Sequence, residues 1–191
     1  GGCLDSARFR AFIAEELKVS VKDVTGVVLG NHGDAMVPMV RMASVSGVPL
    51  TDLLSAEKIA AIVARTKQAG AEIGGHLKTG SAYYAPSRGA IEMAEAVLKD
   101  QKRVLPIAVE LNGEFGVNDK LMVGVLARLG GKGMEGIIDI KMNDDEKAEF
   151  VKSVEAVRNL VAGLAHPALY CVVARERLDQ WYVRWPQPSD Q

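Results

Sequence analysis

Apolar residues recur at helical spacing from Phe9 through Phe12 and Ile13 to Leu17. This predicts a helix over about 5–17, with Asp5 or Ser6 available as its N-cap. The pattern then turns β-rich. Residues 24–29 form an apolar run that stops at Gly30, and a second expected strand covers 40–45 before Gly47-Val48-Pro49 breaks it. Ser55 opens a long helical segment to about Lys78, weakened in its middle by Gly70, Gly74 and Gly75. Gly80 interrupts the period, and another helix is expected from about 82 to 98. Beyond it the period shortens again. Residues 104–111, 121–129 and 136–140 read as strands joined by turns rich in Gly, Asn and Asp, and Asn143 with Asp144 caps a final helix to about Leu164. Long helices packed on a largely antiparallel sheet make this an α+β domain.

From Pro167 the character changes: both tryptophans, Trp181 and Trp185, fall here, and no period organises the segment. The expected organisation is one domain over 1–166 followed by an atypical tail, 167–191. The chain opens Gly1-Gly2-Cys3 without an initiator methionine and enters a helix at once, as though something precedes it.

Bulk properties narrow the function classes. At 191 residues the chain can bury a substantial core, and 48% hydrophobic with 25% charged residues is ordinary for a globular protein. A net charge of −1 gives no footprint for nucleic acid and no basic surface for an anionic membrane. No apolar stretch reaches the ~18–20 residues of a spanning helix, and no signal-peptide pattern opens the chain. Cys3 and Cys171 lie far apart without metal-ligand spacing, so no metal is expected and a reducing cytoplasm is the expected compartment.

One glycine motif is a decoy. Gly131-Lys132-Gly133-Met134-Glu135-Gly136 matches G-x-G-x-x-G, but that fingerprint requires a strand before it and a helix opening within it. Here Ile137-Ile138-Asp139-Ile140 follows, a β-like run, so a hairpin turn is the better reading.

Candidate chemistry centres on His32, one of three histidines, set in Gly30-Asn31-His32-Gly33-Asp34 where a strand hands over to a loop. An imidazole can shuttle protons if a carboxylate fixes its tautomer. The candidate partners are Asp34, too close in sequence to fold back easily, and Asp5 at the start of the first helix. Asp5 and Arg8 are one helical turn apart and share a face, so the pair can offer a carboxylate to histidine and a guanidinium fork to a substrate carboxylate. Taken singly, Asp5 also reads as a helix cap, Arg8 as a surface or salt-bridging residue, and His32 as a turn residue. His76 and His166 read as structural or solvent-exposed.

Taken together, Leu4-Asp5-Ser6-Ala7-Arg8-Phe9-Arg10 and Leu29-Gly30-Asn31-His32-Gly33-Asp34 with Val37-Pro38 closely resemble the NAD-dependent lactate/malate dehydrogenase family. The 27-residue separation of Asp5 and His32 agrees with that family. The segment Lys78-Thr79-Gly80-Ser81-Ala82-Tyr83-Tyr84-Ala85-Pro86 is similar to the lactate-dehydrogenase-like malate dehydrogenases of bacteria. The resemblance runs from Gly1 to about Ala165 and covers only the C-terminal, substrate-binding half of such an enzyme. It implies that His32 is the proton donor and acceptor, Asp5 its orienting carboxylate, and Arg8 the grip on the substrate carboxylate. Ser81 corresponds to a small hydroxyl residue that, with His32, meets the nicotinamide end of NAD and the substrate. Asn31 stands where malate enzymes often have glycine, at a position that varies among relatives.

The implied activity is interconversion of malate and oxaloacetate by hydride transfer with NAD. It would need a partner N-terminal Rossmann half, absent here, and the complete enzyme would be a homo-oligomer. Alternatives are an inactive remnant serving as an oligomerisation or interaction module, or a lactate dehydrogenase fragment.

Overall fold

The computed structural model describes residues 1–164. The first helix begins earlier than its apolar period suggests: α1 spans Gly2–Leu17, with Gly1 in the cap position and no side-chain cap. Asp5 and Ser6 are therefore not N-caps, a correction with a physical basis. The buried face that carries Phe9 and Ile13 runs back through Ser6 and Asp5 to Cys3, so packing extends the helix past the point where a cap was expected.

The β-rich run 24–29 is two strands, β1 (Val24–Thr25) and β2 (Val28–Gly30), which enter different sheets. A strand not anticipated, β3 (Met36–Pro38), pairs antiparallel with β2, matching Leu29 to Val37 and Gly30 to Met36. The run 40–45 is mostly not extended. Val40–Met42 is a 3-10 turn, and only β4 (Ser44–Val45) pairs, with β1 and with β5 (Val48–Pro49), to form a small three-stranded sheet.

Helix α2 (Leu50–Leu53) is one turn, and α3 (Ala56–Leu77) follows with Ser55 Oγ accepting the Lys58 N–H as its cap. Helix α4 (Tyr84–Leu98) leads into β6 (Arg103–Glu110), β7 (Met122–Gly130) and β8 (Gly133–Ile137). The larger sheet runs β3-β2-β7-β6 with β8 also on β7, and every pair is antiparallel. The segment Gly131–Gly136 is thus the β7–β8 hairpin turn and the start of its second strand, which begins at Gly133 rather than Gly136.

Helix α5 (Asp144–Leu164) opens on a reciprocal cap. Asn143 Oδ1 accepts the Glu146 N–H at 2.8 Å while a Glu146 carboxylate oxygen accepts the Asn143 N–H at 2.9 Å. Gly1–Val157 forms one compact unit and Arg158–Gln191 a second, of which only the end of α5 is described. His166, Cys171 and the tail 167–191 lie outside the described residues.

Two cores position the site. Leu105, Ile107, Val123 and Val125 of the sheet pack with Phe150 and Val154 of α5 in the first. Phe9 and Ile13 of α1 pack with Val24, Met36, Leu50 and Ile59 in the second. Strand β2 lies between them: Leu29 belongs to the first core and its neighbour Val28 to the second. Alternation of side chains along a strand produces this division directly.

Candidate active site

The turn Asn31-His32-Gly33-Asp34 joins β2 to β3, and glycines with positive φ, Gly30 at 77° and Gly33 at 103°, shape it. Helix α1 is registered against β2 by a buried bond in which Ser6 Oγ accepts the Val28 N–H at 2.9 Å. That register carries His32 to the first turn of α1, where Asp5 Oδ2 lies 2.8 Å from His32 Nδ1. The approach requires a glycine at position 1, since a Cβ there would sit 2.8 Å from the His32 Cβ and 3.3 Å from Asp5 Oδ2.

Asp5 is 1% exposed and Arg8 8%, so both charges sit in the protein interior, where an unpaired charge is expensive. Arg8 Nη1 lies 3.5 Å from Asp5 Oδ1, close enough for strong charge attraction. That contact is not a hydrogen bond: among the described residues neither Asp5 Oδ1 nor Arg8 Nε, both buried, has a hydrogen-bond partner. Unsatisfied buried polar atoms of this kind call for a functional account. Gly70 of α3 faces the guanidinium, with Arg8 Nη1 at van der Waals distance from where a Cβ would be. The His32 side chain is 54% exposed, so the row Arg8–Asp5–His32 runs from the interior to the surface.

The arrangement has a definite protonation logic. An ionised carboxylate only accepts hydrogen bonds, so Nδ1 of His32 carries a hydrogen towards Asp5 and Nε2 is left as the basic nitrogen of the neutral ring. A proton taken up at Nε2 leaves both ring nitrogens as donors, with Nδ1–H still directed at Asp5 Oδ2.

The structure therefore brings Asp5, Arg8 and His32 together. Ser81 lies exposed in the segment between α3 and α4, with no hydrogen bond to the other three among the described residues. Asp34 turns away from His32, its Oδ1 accepting from Gln68 Nε2 of α3 at 2.9 Å. His76 is exposed in the last turn of α3. Cys3 is no competing nucleophile: burial pushes its thiol pKa up, Glu92 adds to the rise, and its Sγ contacts the Pro106 carbonyl. Among the described residues no cluster of His, Cys, Asp or Glu has the makings of a metal site, and no helix is long and apolar enough to cross a membrane.

Ser153 on α5 was not visible as a site residue in the sequence, yet its Oγ accepts the Asn31 N–H at 2.7 Å. No local pattern signals a contact made across 122 positions.

Residues 3–165 match the family described as lactate/malate dehydrogenase, alpha/beta C-terminal domain. A malate dehydrogenase of Cereibacter sphaeroides is 58% identical over 165 residues, which cover 84% of this chain and 51% of that protein. The structure of malate dehydrogenase from Salinibacter ruber superimposes with a TM-score of 0.83 at 46% identity, covering 86% of this chain and 53% of that one. A lactate dehydrogenase from Eimeria maxima, solved with NADH and oxamate, gives a TM-score of 0.83 at 42% identity, over 86% of this chain and 51% of that one. The chain spans about half the length of the curated relatives it matches.

Proposed function

Because the chain belongs to the lactate/malate dehydrogenase family of oxidoreductases as its C-terminal α/β domain, we propose that it is the catalytic, substrate-binding half of a malate dehydrogenase. In this reading it interconverts malate and oxaloacetate with NAD once a nucleotide-binding half completes it. The observation that carries the reading is the buried Asp5 carboxylate, held by His32 through one oxygen and drawn to Arg8 at the other. A packing role alone has no use for two buried opposite charges with unsatisfied donor and acceptor atoms.

Each residue has a stated task. Arg8 receives a substrate carboxylate with its planar fork, its Nε having no hydrogen-bond partner among the described residues. His32 Nε2 takes the proton of the malate hydroxyl and returns it to the alkoxide oxygen in the reverse direction. Asp5 holds the tautomer and stabilises the imidazolium without taking the proton, as the aspartate does in a serine-protease triad. When bound, NAD supplies the acceptor for the hydride that leaves the hydroxyl-bearing carbon. This chain would meet it through Ser81 and the exposed face of His32 at the nicotinamide end, since Gly131–Gly136 joins two strands and opens no helix for a pyrophosphate. We assign these tasks to residues 1–166, and none to 167–191. Homo-oligomeric assembly in the cytoplasm belongs to the same reading of the complete enzyme.

The test joins this chain to the nucleotide-binding half of the Cereibacter sphaeroides relative and follows malate-dependent NADH formation. His32→Asn should lower kcat by roughly 100- to 10,000-fold, the usual worth of a general acid–base group. Arg8→Lys keeps the charge but loses the fork, and should cost about 2–4 kcal/mol of transition-state binding, given ~1.5–3 kcal/mol per charged hydrogen bond, which lowers kcat/KM for oxaloacetate by roughly 30- to 1000-fold. Activity near the parent level in both variants would end the proposal.

A further inference from the structure

We propose that Ser153 is the positioning residue that aims His32, by fixing the backbone of the turn that carries it. The inference rests on the reading of His32 as the proton-transfer group. Ser153 lies wholly buried on α5, and its Oγ accepts the N–H of Asn31, the residue immediately before His32, at 2.7 Å. The same serine is fitted to Gly30. A Cβ at Gly30 would come within 2.9 Å of the Ser153 Cβ and would overlap its Oγ.

Gly30 is gripped from the other side as well. It pairs with Gly124 of β7, where a Cβ would collide with the Gly30 carbonyl oxygen. The last residue of β2 is thus held between the Ser153 side chain of α5 and the Gly124 backbone of β7, with no room for a side chain of its own, and the next N–H is drawn to α5. A part-buried hydrogen bond at that point, made to a wholly buried hydroxyl, fixes the plane of the Gly30–Asn31 peptide, and so the direction in which the following residue leaves the sheet.

The side-chain restraint at the far end of the turn is weaker. Asp34 is held by Gln68 in an exposed contact, where water competes for both groups. Asp5 on its side is set in α1 and buried, so the 2.8 Å contact depends on the aim of the turn rather than on movement of the carboxylate. Loss of the Ser153 acceptor leaves a peptide N–H seeking another partner, water included, and frees the peptide to rotate from its present path.

The ring of His32 reports this directly. In the 191-residue chain, 15N spectra of the histidine rings, assigned by the signal lost in His32→Asn, should show neutral His32 held with hydrogen on Nδ1 and none on Nε2. Ser153→Ala removes the acceptor alone and raises helix propensity, so the variant folds. Its expected effect is loss of the Nδ1–H signal to solvent exchange and convergence of the two ring-nitrogen shifts, with faster exchange of the Asn31 amide. Val154→Ala, one position along and buried in the sheet core, destabilises α5 without touching the Asn31 bond and should leave the ring spectrum as in the parent. A parent-like spectrum in Ser153→Ala overturns the proposal, and so does an equal change in both variants. If the parent itself lacks the Nδ1–H form, the Asp5–His32 pairing behind the proposed function fails first, and Ser153 has nothing to aim.

Discussion

Removing the charge of Asp5 while keeping its shape should destabilise the chain far more than an exposed ion pair would, and a second substitution should undo much of the damage. Asp5 and Arg8 are 3.5 Å apart and both nearly inaccessible. At an effective dielectric constant of about 20, unit charges at that separation attract by about 5 kcal/mol. Much of this offsets the cost of taking both groups out of water, so the pair itself adds little net stability. Asp5→Asn leaves the desolvation of Arg8 uncompensated and should cost about 3–5 kcal/mol. The asparagine oxygen can still accept from His32 Nδ1, so the change isolates the charge term. Adding Arg8→Met removes the stranded cation and puts an apolar side chain in its place. The double variant should therefore be more stable than the sum of the two single effects by about 2–3 kcal/mol. Urea denaturation followed by far-ultraviolet circular dichroism on the parent, both singles and the double completes the cycle. Additivity within about 0.5 kcal/mol would refute a coupled buried pair and remove the electrostatic basis of the site.

Two further perturbations test the frame that carries it. Asn143→Ala removes half of the reciprocal cap of α5 and should lower stability by about 1 kcal/mol, read as a shifted denaturation midpoint with an unchanged slope. At the β7–β8 hairpin, the hydrogen bond from Lys102 holds the carboxyl pKa values of Asp100 and Glu135 below their ordinary 3.8 and 4.5, with the Gly131 N–H helping at Asp100. A lowered folded pKa means that the stabilisation is complete above the ordinary value and is lost as pH falls through the folded one. Lys102→Met should therefore lower Tm most at neutral pH, and the gap to the parent should close below about pH 4. A gap that widened on acidification would contradict the assignment.

The parts of the fold legible in the sequence were those with enough residues to display a period. Helices α3 and α5 and strands β6 and β7 have near-continuous patterns, and Ser55 and Asn143 cap where their side chains suggest. Strands of two or three residues carry no period, so β1 and β2 read as one run and β3, ending in Pro38, read as loop. Asp5 illustrates a different gap. Aspartate at the start of a helix has a strong local preference for capping, and only burial against the His32 turn decides that it serves elsewhere. The triad was suggested by a joint motif in two segments, whereas Ser153 and Gly124 are spatial neighbours of the turn with no motif of their own. Ser81 is placed by family likeness, since among the described residues no hydrogen bond ties it to Asp5, Arg8 or His32.

Strand β2 has a consequence for anyone recombining this domain with its relatives. Val28 and Leu29 are adjacent in the chain but face separate interiors, one built largely from the N-terminal helices and the other from the later strands and α5. A chimera that takes residues up to the turn from one parent and the remainder from another would inherit a strand tailored on one face to neighbours it no longer has. The mismatch would surface as misplacement of the histidine before it surfaced as unfolding, since each interior could still close on its own. A safe crossover lies away from this strand, with residues 28–30 and Ser153 moved as a single inheritance unit.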